Sequence, residues 1–226
     1  MFDADTIQAV DPATLGPQAR AIEPKSAFKL FYAFVKRAGD FVAVVAILPF
    51  ALISALVLFV LNPFFNKGSL LFRQTRMGKN CQPFTAYKFR SMTSLAPKTT
   101  EKRGAFDDLE EHRITKLGRI MRKLRIDELP QSLNILKGDM SLIGPRPDFI
   151  EHARVYITRI PGYRERHNVR PGVTGLAQTE VGYVSDEAGF RRKVAADLTY
   201  IRKMGFTYDL KIMVRTAQII LCGRGR

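Results

Sequence analysis

An α+β fold that is mainly helical follows from three features of the sequence: one long uncharged apolar run, one pair of strand-like segments, and several stretches with helical spacing of apolar residues. The predicted architecture is a re-entrant membrane helix-break-helix, a small β-hairpin, and amphipathic interfacial helices around a compact domain on the cytoplasmic face. The 226 residues divide into a disordered tail over 1–24, a re-entrant membrane helix over 25–66 and a single domain over 67–226. The net charge of +15 implies an anionic partner, which composition alone leaves open between nucleic acid, anionic lipid and phosphorylated substrates.

The tail is mildly acidic, carries Pro12, Pro17 and Pro24, and has neither an apolar period nor the basic start and short apolar core of a signal peptide. From Phe41 to Leu61 no residue is charged and Ser54 alone is polar. That run gives roughly 31 Å of helix, enough to cross a hydrocarbon core. A soluble core helix apolar on every side would lack protein to cover it in a chain of this length. Pro49, near the middle, removes one backbone donor and predicts a kink. Lys25, Lys29, Lys36 and Arg37 precede the run, and Lys67, Arg73, Arg76 and Lys79 follow it, so both ends favour the cytoplasmic side. A re-entrant helix broken at Pro49 satisfies both flanks; a kinked single span is the competing arrangement.

Leu70 to Thr75 and Phe84 to Phe89, separated by Gly78, Lys79 and Asn80, predict the hairpin, and KFRSM leaves its second strand. Met92 to Phe106, rich in Thr, Lys and Pro, reads as a mobile loop. Ile114, Leu117, Ile120, Met121 and Leu124 recur at helical spacing opposite Lys116, Arg119, Arg122 and Lys123. Further helices are expected from about Pro147 to Thr158, from Glu187 to Lys203, and over the amphipathic Asp209 to Cys222, which could serve bilayer or homodimer contact. The stretch IPGYRERHNVRPGVTGLAQ is punctuated by Pro and Gly and reads as loop or turn.

The chemistry concentrates between Leu124 and Pro147. Asp127 and Glu128 stand where a helix could begin, so an N-cap aspartate with a dipole-favoured glutamate is one reading, worth about 0.5 to 2 kcal/mol. The same position would keep both carboxylates ionised, which suits attack on phosphorus and ligation of Mg²⁺. Arg146, fixed between Pro145 and Pro147, projects a planar fork that matches phosphate oxygens. Lys88, Arg90, Arg122 and Arg170 are further candidate anion contacts, each singly more often a solvated side chain. Gly172 and Gly175 permit close backbone approach to a nucleotide. His112, His152 and His167 show no ligand spacing, and Cys81 and Cys222 support neither a disulfide framework nor a zinc site. There is no GxxxxGKS/T and no GxGxxG, and the DxD at Asp3–Asp5 falls in the tail.

In order along the chain, FRQTRMGKN, KFRSM, RITKLGRIMRKLRIDELPQSLNILKGDMSLIGPRP and RPGVTGLAQ resemble the bacterial sugar transferase family, the monotopic phosphoglycosyl transferases. The resemblance runs from about Lys25 to the C-terminus and is to the minimal catalytic form. It implies transfer of a sugar 1-phosphate from a UDP-sugar to polyprenyl phosphate at the cytoplasmic face of the bacterial inner membrane, releasing UMP and initiating exopolysaccharide or other glycoconjugate synthesis. It implies Asp127 as nucleophile, Mg²⁺ beside the dyad with Glu128 helping to hold it, Arg146 and Arg122 at the matching positions, and no role for nucleic acid. Where relatives often have Ser-Pro at the membrane break, this chain has Leu48-Pro49. The RERHNVRPGVTGLAQ region is similar to exopolysaccharide-initiating members, which favours glucose or galactose. A non-enzymatic membrane protein binding phospholipid or nucleic acid would explain the charge and the apolar run, but not an Asp-Glu pair set among bases.

Overall fold

The computed structural model describes residues 27–66, 68–93, 104–107 and 110–222. The predicted tail over 1–24 and most of the loop predicted between Met92 and Phe106 lie outside them, as do Lys25 and Lys67.

The apolar run forms one helix, α1 (Ala27–Phe65), of 39 residues with Pro49 and Pro63 inside it. It is long and apolar enough to cross a membrane. The predicted interruption at Pro49 is therefore corrected: helical structure continues through it, because one missing N–H in so long a helix removes a single bond that the flanking turns outlast. Tyr32, Asp40, Val44, Ala51, Leu58 and Asn62 are buried at intervals of four, seven and eight, which is one stripe of the helix. Phe34, Phe41, Phe50, Phe59 and Phe64, each more than half exposed, mark the rest of its surface as unfit for water.

The buried stripe docks on the following domain at both ends. Near its start, Lys36 pairs with Asp209 at 2.7 Å, and Asp40 Oδ1 accepts from Ser141 Oγ and from the Leu142 N–H at 3.0 and 2.8 Å. Val44 packs with Ile135 and Met140, and Leu58 with Phe89 and Met121. Near its end, Asn62 Nδ2 donates to Gly68 O at 2.6 Å and Asn66 Nδ2 donates to Arg90 O.

The predicted hairpin is present as β1 (Leu71–Met77) and β2 (Pro83–Phe89), antiparallel with Leu71 opposite Phe89. Its tip turns through Asn80 and Cys81, both at positive φ, and Gly78 O accepts from buried His167 Nδ1 at 3.1 Å. Burial first, and then neighbouring Arg166, lowers the His167 pKa to about 4. In the unfolded chain it returns to about 6.5, so between those values the unfolded state binds the extra proton. Stability should therefore fall as pH drops from about 6.5 to about 4, and thermal melts of His167→Gln should lack that component. Parallel curves for the two proteins would contradict it.

Past the hairpin come α2 (Lys116–Lys123), capped by Thr115 Oγ1, which accepts from the Gly118 N–H at 2.8 Å, and α3 (Ser132–Lys137), joined by a 3-10 turn over Ile126–Gln131. Next are β3 (Ser141–Ile143), α4 (Ile150–Arg159), a 3-10 turn over Glu165–Asn168, β4 (Gly172–Thr174), α5 (Leu176–Glu180), α6 (Glu187–Lys203) and α7 (Phe206–Leu221). The stretch expected to be loop thus contains a 3-10 turn, a strand and a helix. Strand β4 pairs in parallel with β3, Ser141 opposite Gly172. The glycines there serve the chain itself: a Cβ on Gly172 would lie 2.1 Å from Gly144 N, and one on Gly175 2.2 Å from Gly144 O. Helices α4 to α7 enclose the main core, with Tyr156, Tyr163, Phe190, Val194, Tyr200 and Ile212 at its centre.

Candidate active site

Helix α2 ends at Lys123, and two residues on Arg125 has a φ of 58°, the left-handed conformation that glycine usually supplies after a helix. That reversal puts Asp127 and Glu128 inside the 3-10 turn, each only 5% exposed. The N-cap reading of Asp127 is corrected accordingly: Arg125 holds the cap position, and no side chain caps the turn. A left-handed arginine costs about 1–2 kcal/mol, so its neighbours must hold it. Arg125 Nη1 reaches Glu128 Oε2 at 3.2 Å.

Glu128 is met by two further cations. Lys88 Nζ from β2 donates to Oε1 at 2.9 Å, and Arg146 from the Gly144–Pro147 turn donates to both carboxylate oxygens. Burial alone would raise the Glu128 pKa, but Arg146, Lys88 and Arg125 outweigh it and hold the carboxyl well below its usual range. Burial likewise lowers Lys88 to about 8, against the pull of Glu128. Asp127 differs: burial raises its pKa against the opposing field of Lys88, and its Oδ1 is enclosed with no hydrogen-bond partner. Arg122 bonds Ser91 Oγ and Met92 Sδ, both at 3.2 Å, within the electrostatic reach of Asp127. Thus one carboxylate is saturated by cations, and its neighbour keeps an unused oxygen.

Among the described residues no group of three or more His, Cys, Asp or Glu could hold a metal ion. The donor set still suits Mg²⁺, which is commonly held by one or two carboxylates and completed by substrate phosphates. Asp127 Oδ1 is a free ligand for it, whereas Glu128 would join only by exchanging a cation.

The family model for bacterial sugar transferases matches residues 31–223. The chain belongs to the bacterial sugar transferase family. It is 42% identical over 86% of its length to the UDP-N-acetylgalactosamine-undecaprenyl-phosphate N-acetylgalactosaminephosphotransferase of Aeromonas hydrophila, of which it spans 45%. It is 38% identical over 93% of its length to the UDP-glucose:undecaprenyl-phosphate glucose-1-phosphate transferase of Caulobacter vibrioides, spanning 79% of that protein. The exopolysaccharide production protein PSS of Rhizobium leguminosarum is 38% identical over 80% of the chain, with 92% of that relative covered.

Of the cations singled out in the sequence, Lys88, Arg122 and Arg146 lie near the dyad, while Arg90 and Arg170 form their hydrogen bonds elsewhere. Arg90 Nε turns back to Ser69 O at 2.8 Å, and Arg170 Nε donates to Gly138 O at 2.8 Å. Two arginines near the site had no mark in the sequence. Arg125 depends on a backbone reversal, and Arg76 donates to Pro147 O at 2.6 Å with burial lowering its pKa to about 10.

Behind the Pro145–Pro147 turn lies a second charged cluster. Arg166, whose side chain is fully buried, donates through Nη2 to Arg146 O at 2.8 Å and pairs with Asp148 at 2.5 Å and Asp197 at 2.7 Å. Lys193 and Tyr163 also donate to Asp148, both at 2.9 Å. Carbonyls 146 and 147 are therefore clamped by Arg166 and Arg76, which adds to proline stiffness a second reason for the fixed direction of Arg146.

Proposed function

We propose that the chain transfers a sugar 1-phosphate from a UDP-sugar to undecaprenyl phosphate, giving undecaprenyl diphosphosugar and UMP through an aspartyl phosphosugar. The observation that carries this reading is the unpartnered, enclosed Oδ1 of Asp127 amid Lys88, Arg122, Arg125 and Arg146 in a chain of this family. Asp127 attacks the sugar-bearing phosphorus, and the bond from that phosphorus to the UMP oxygen breaks. The acceptor's phosphate oxygen then attacks the same phosphorus, and the Asp127 carboxylate leaves. Arg146 and Arg122 neutralise charge on the phosphates, Lys88 and Arg125 hold Glu128 ionised, and water is kept from the acyl phosphate by burial of the dyad. Mg²⁺, held by Asp127 with Glu128 beside it, would supply further neutralisation of the diphosphate.

The lipid acceptor fits a re-entrant α1. A span of about 30 Å of hydrocarbon would separate its ends onto opposite faces, yet Asp40 near one end and Leu58 near the other both contact one domain. This supports entry and exit on the cytoplasmic face, with the helix bending at Pro49 and the acceptor phosphate staying at the interface. Glucose is the favoured sugar, ahead of galactose, in line with the glucose-1-phosphate named for the Caulobacter relative. The test is UMP release by purified protein with undecaprenyl phosphate, Mg²⁺ and a panel of UDP-glucose, UDP-galactose and UDP-N-acetylgalactosamine. UDP-glucose should be turned over fastest; a preference of tenfold or more for another sugar overturns that assignment, and silence across the panel overturns the activity.

A further inference from the structure

Four cations gather away from the dyad, around the end of α3. Arg37 Nη2 donates to Leu136 O at 3.0 Å, and Arg170 Nε donates to Gly138 O at 2.8 Å. Between them in sequence, Lys137 Nζ donates to Tyr87 Oη at 3.0 Å and lies 4.8 Å from the ring centre, while Arg73 is 5.9 Å from the same ring. Arg73, Lys137 and Arg170 are exposed. Every one of these contacts is to a neutral group. Among the described residues none of the four forms a salt bridge, whereas Lys36, Lys88, Arg125, Arg146, Arg166 and Lys193 are all matched with carboxylates. The adjacent carboxylate, Asp139, is turned to Asn134 Nδ2 at 3.3 Å.

The cluster borders an apolar surface. Arg37 stands three residues after Phe34 and four before Phe41, so the three share a face of α1, and Phe34 and Phe41 are 73% and 57% exposed. Leu133 and Leu136 of α3 are also well exposed, at 42% and 38%. Unmatched positive charge beside exposed aliphatic and aromatic surface is complementary to one kind of molecule, with an anionic head and an apolar tail.

We propose that Arg37, Arg73, Lys137 and Arg170 form a binding site for the headgroup phosphate of an anionic phospholipid whose acyl chains lie along Phe34, Phe41 and Leu136. This rests on the membrane placement of α1. The exposed N–H groups of Arg73 and Arg170 and the remaining Lys137 donors face the phosphate, with the enclosed, unpartnered Nη1 of Arg37 adding its charge from beneath. The site would seat the domain at a fixed height on an anionic leaflet.

The experiment uses the full chain in a neutral detergent, with phosphatidylglycerol or phosphatidylcholine added, read by native mass spectrometry and thermal melting. Phosphatidylglycerol should give retained adducts and a higher midpoint, and phosphatidylcholine neither. Arg73→Gln/Lys137→Gln/Arg170→Gln should weaken phosphatidylglycerol binding by on the order of a hundredfold, taking about fivefold per cation. Arg154→Gln/Arg164→Gln/Arg192→Gln, which removes the same charge from exposed positions elsewhere, should leave binding within about twofold of the parent. Equal loss in both triple variants, or retained binding in the first, overturns the site. A first triple variant that binds phosphatidylglycerol normally but needs much more undecaprenyl phosphate overturns it in favour of an acceptor site. Carbonate washing of membranes separates the premise: protein that washes off refutes the placement of α1, whereas retained protein without a lipid preference refutes the site alone.

Discussion

Asp127→Asn should abolish UMP release, by about 10⁴-fold or more, the scale seen when a covalent nucleophile is removed. The substitution keeps shape and volume, so the 3-10 turn over Ile126–Gln131 should fold as before. An amide oxygen cannot yield the acyl phosphate that a carboxylate forms. The parent should release a burst of UMP without acceptor and retain label from a sugar-labelled UDP-sugar on Asp127; the variant should do neither. The charge balance sharpens the expectation. Asp127 and Glu128 bring two negative charges against five positive ones from Arg76, Lys88, Arg122, Arg125 and Arg146, a surplus of three suited to a diphosphate and a monophosphate. Asp127→Asn should therefore still bind the UDP-sugar, the lost negative charge offsetting the lost Mg²⁺ ligand. Near-parental turnover by the variant would sink the covalent route, and loss of nucleotide binding along with turnover would show that the carboxylate mainly holds the site together.

Arg166→Leu should be the most damaging single change outside the dyad. The side chain is fully buried between Asp148 and Asp197, so its removal strands buried carboxylate charge, at about 3–5 kcal/mol. For a domain of this size that corresponds to a fall in melting temperature of roughly 10 °C or more. Asp148 keeps Lys193 and Tyr163 as hydrogen-bond donors, whereas Asp197 keeps only the field of Lys193 and is already raised to about 6 by burial. Arg166→Met/Asp197→Leu should accordingly recover much of the lost stability without restoring the bond to Arg146 O. That double variant separates stability from chemistry: a stable protein with weakened UDP-sugar binding is expected. A melting temperature for Arg166→Leu within about 2 °C of the parent would contradict the cluster's importance.

What the letters disclosed, and what they hid, divides by range. Helix α6 occupies Glu187–Lys203, the span that its spacing predicts, and the hairpin lies within two residues of its expected limits. Both are set by local period and turn residues. The helix predicted from Pro147 begins instead at Ile150, because Asp148 is drawn into the cluster with Arg166 and Lys193. The parallel pairing of β3 and β4 was hidden: three-residue strands 31 positions apart in register carry no readable alternation. Within the site, Asp127, Glu128, Lys88, Arg122 and Arg146 were legible because unusual side chains stand close to proline or to one another in the sequence. Arg125 was not, since nothing about an arginine announces a left-handed backbone, and the sequence could not show that Arg170 stands away from the dyad with its Nε on Gly138 O. Asp40, at the threshold of the apolar run, carries no local signal, because its partners are 101 and 102 residues away.

Those partners bear on how the protein matures. Asp40 Oδ1 accepts from β3, and Asn66, just past α1, holds the KFRSM segment through Arg90 O, so two segments near the carboxylate pair are fastened to α1 and its immediate end, which precede them in the chain. Those contacts close only once α1 has packed on the segments that follow it. Packing of α1 thus templates the surroundings of the reactive pair, and a domain detached from residues 40–66 would emerge with Ser141 Oγ, the Leu142 N–H and the Arg90 carbonyl each missing that partner.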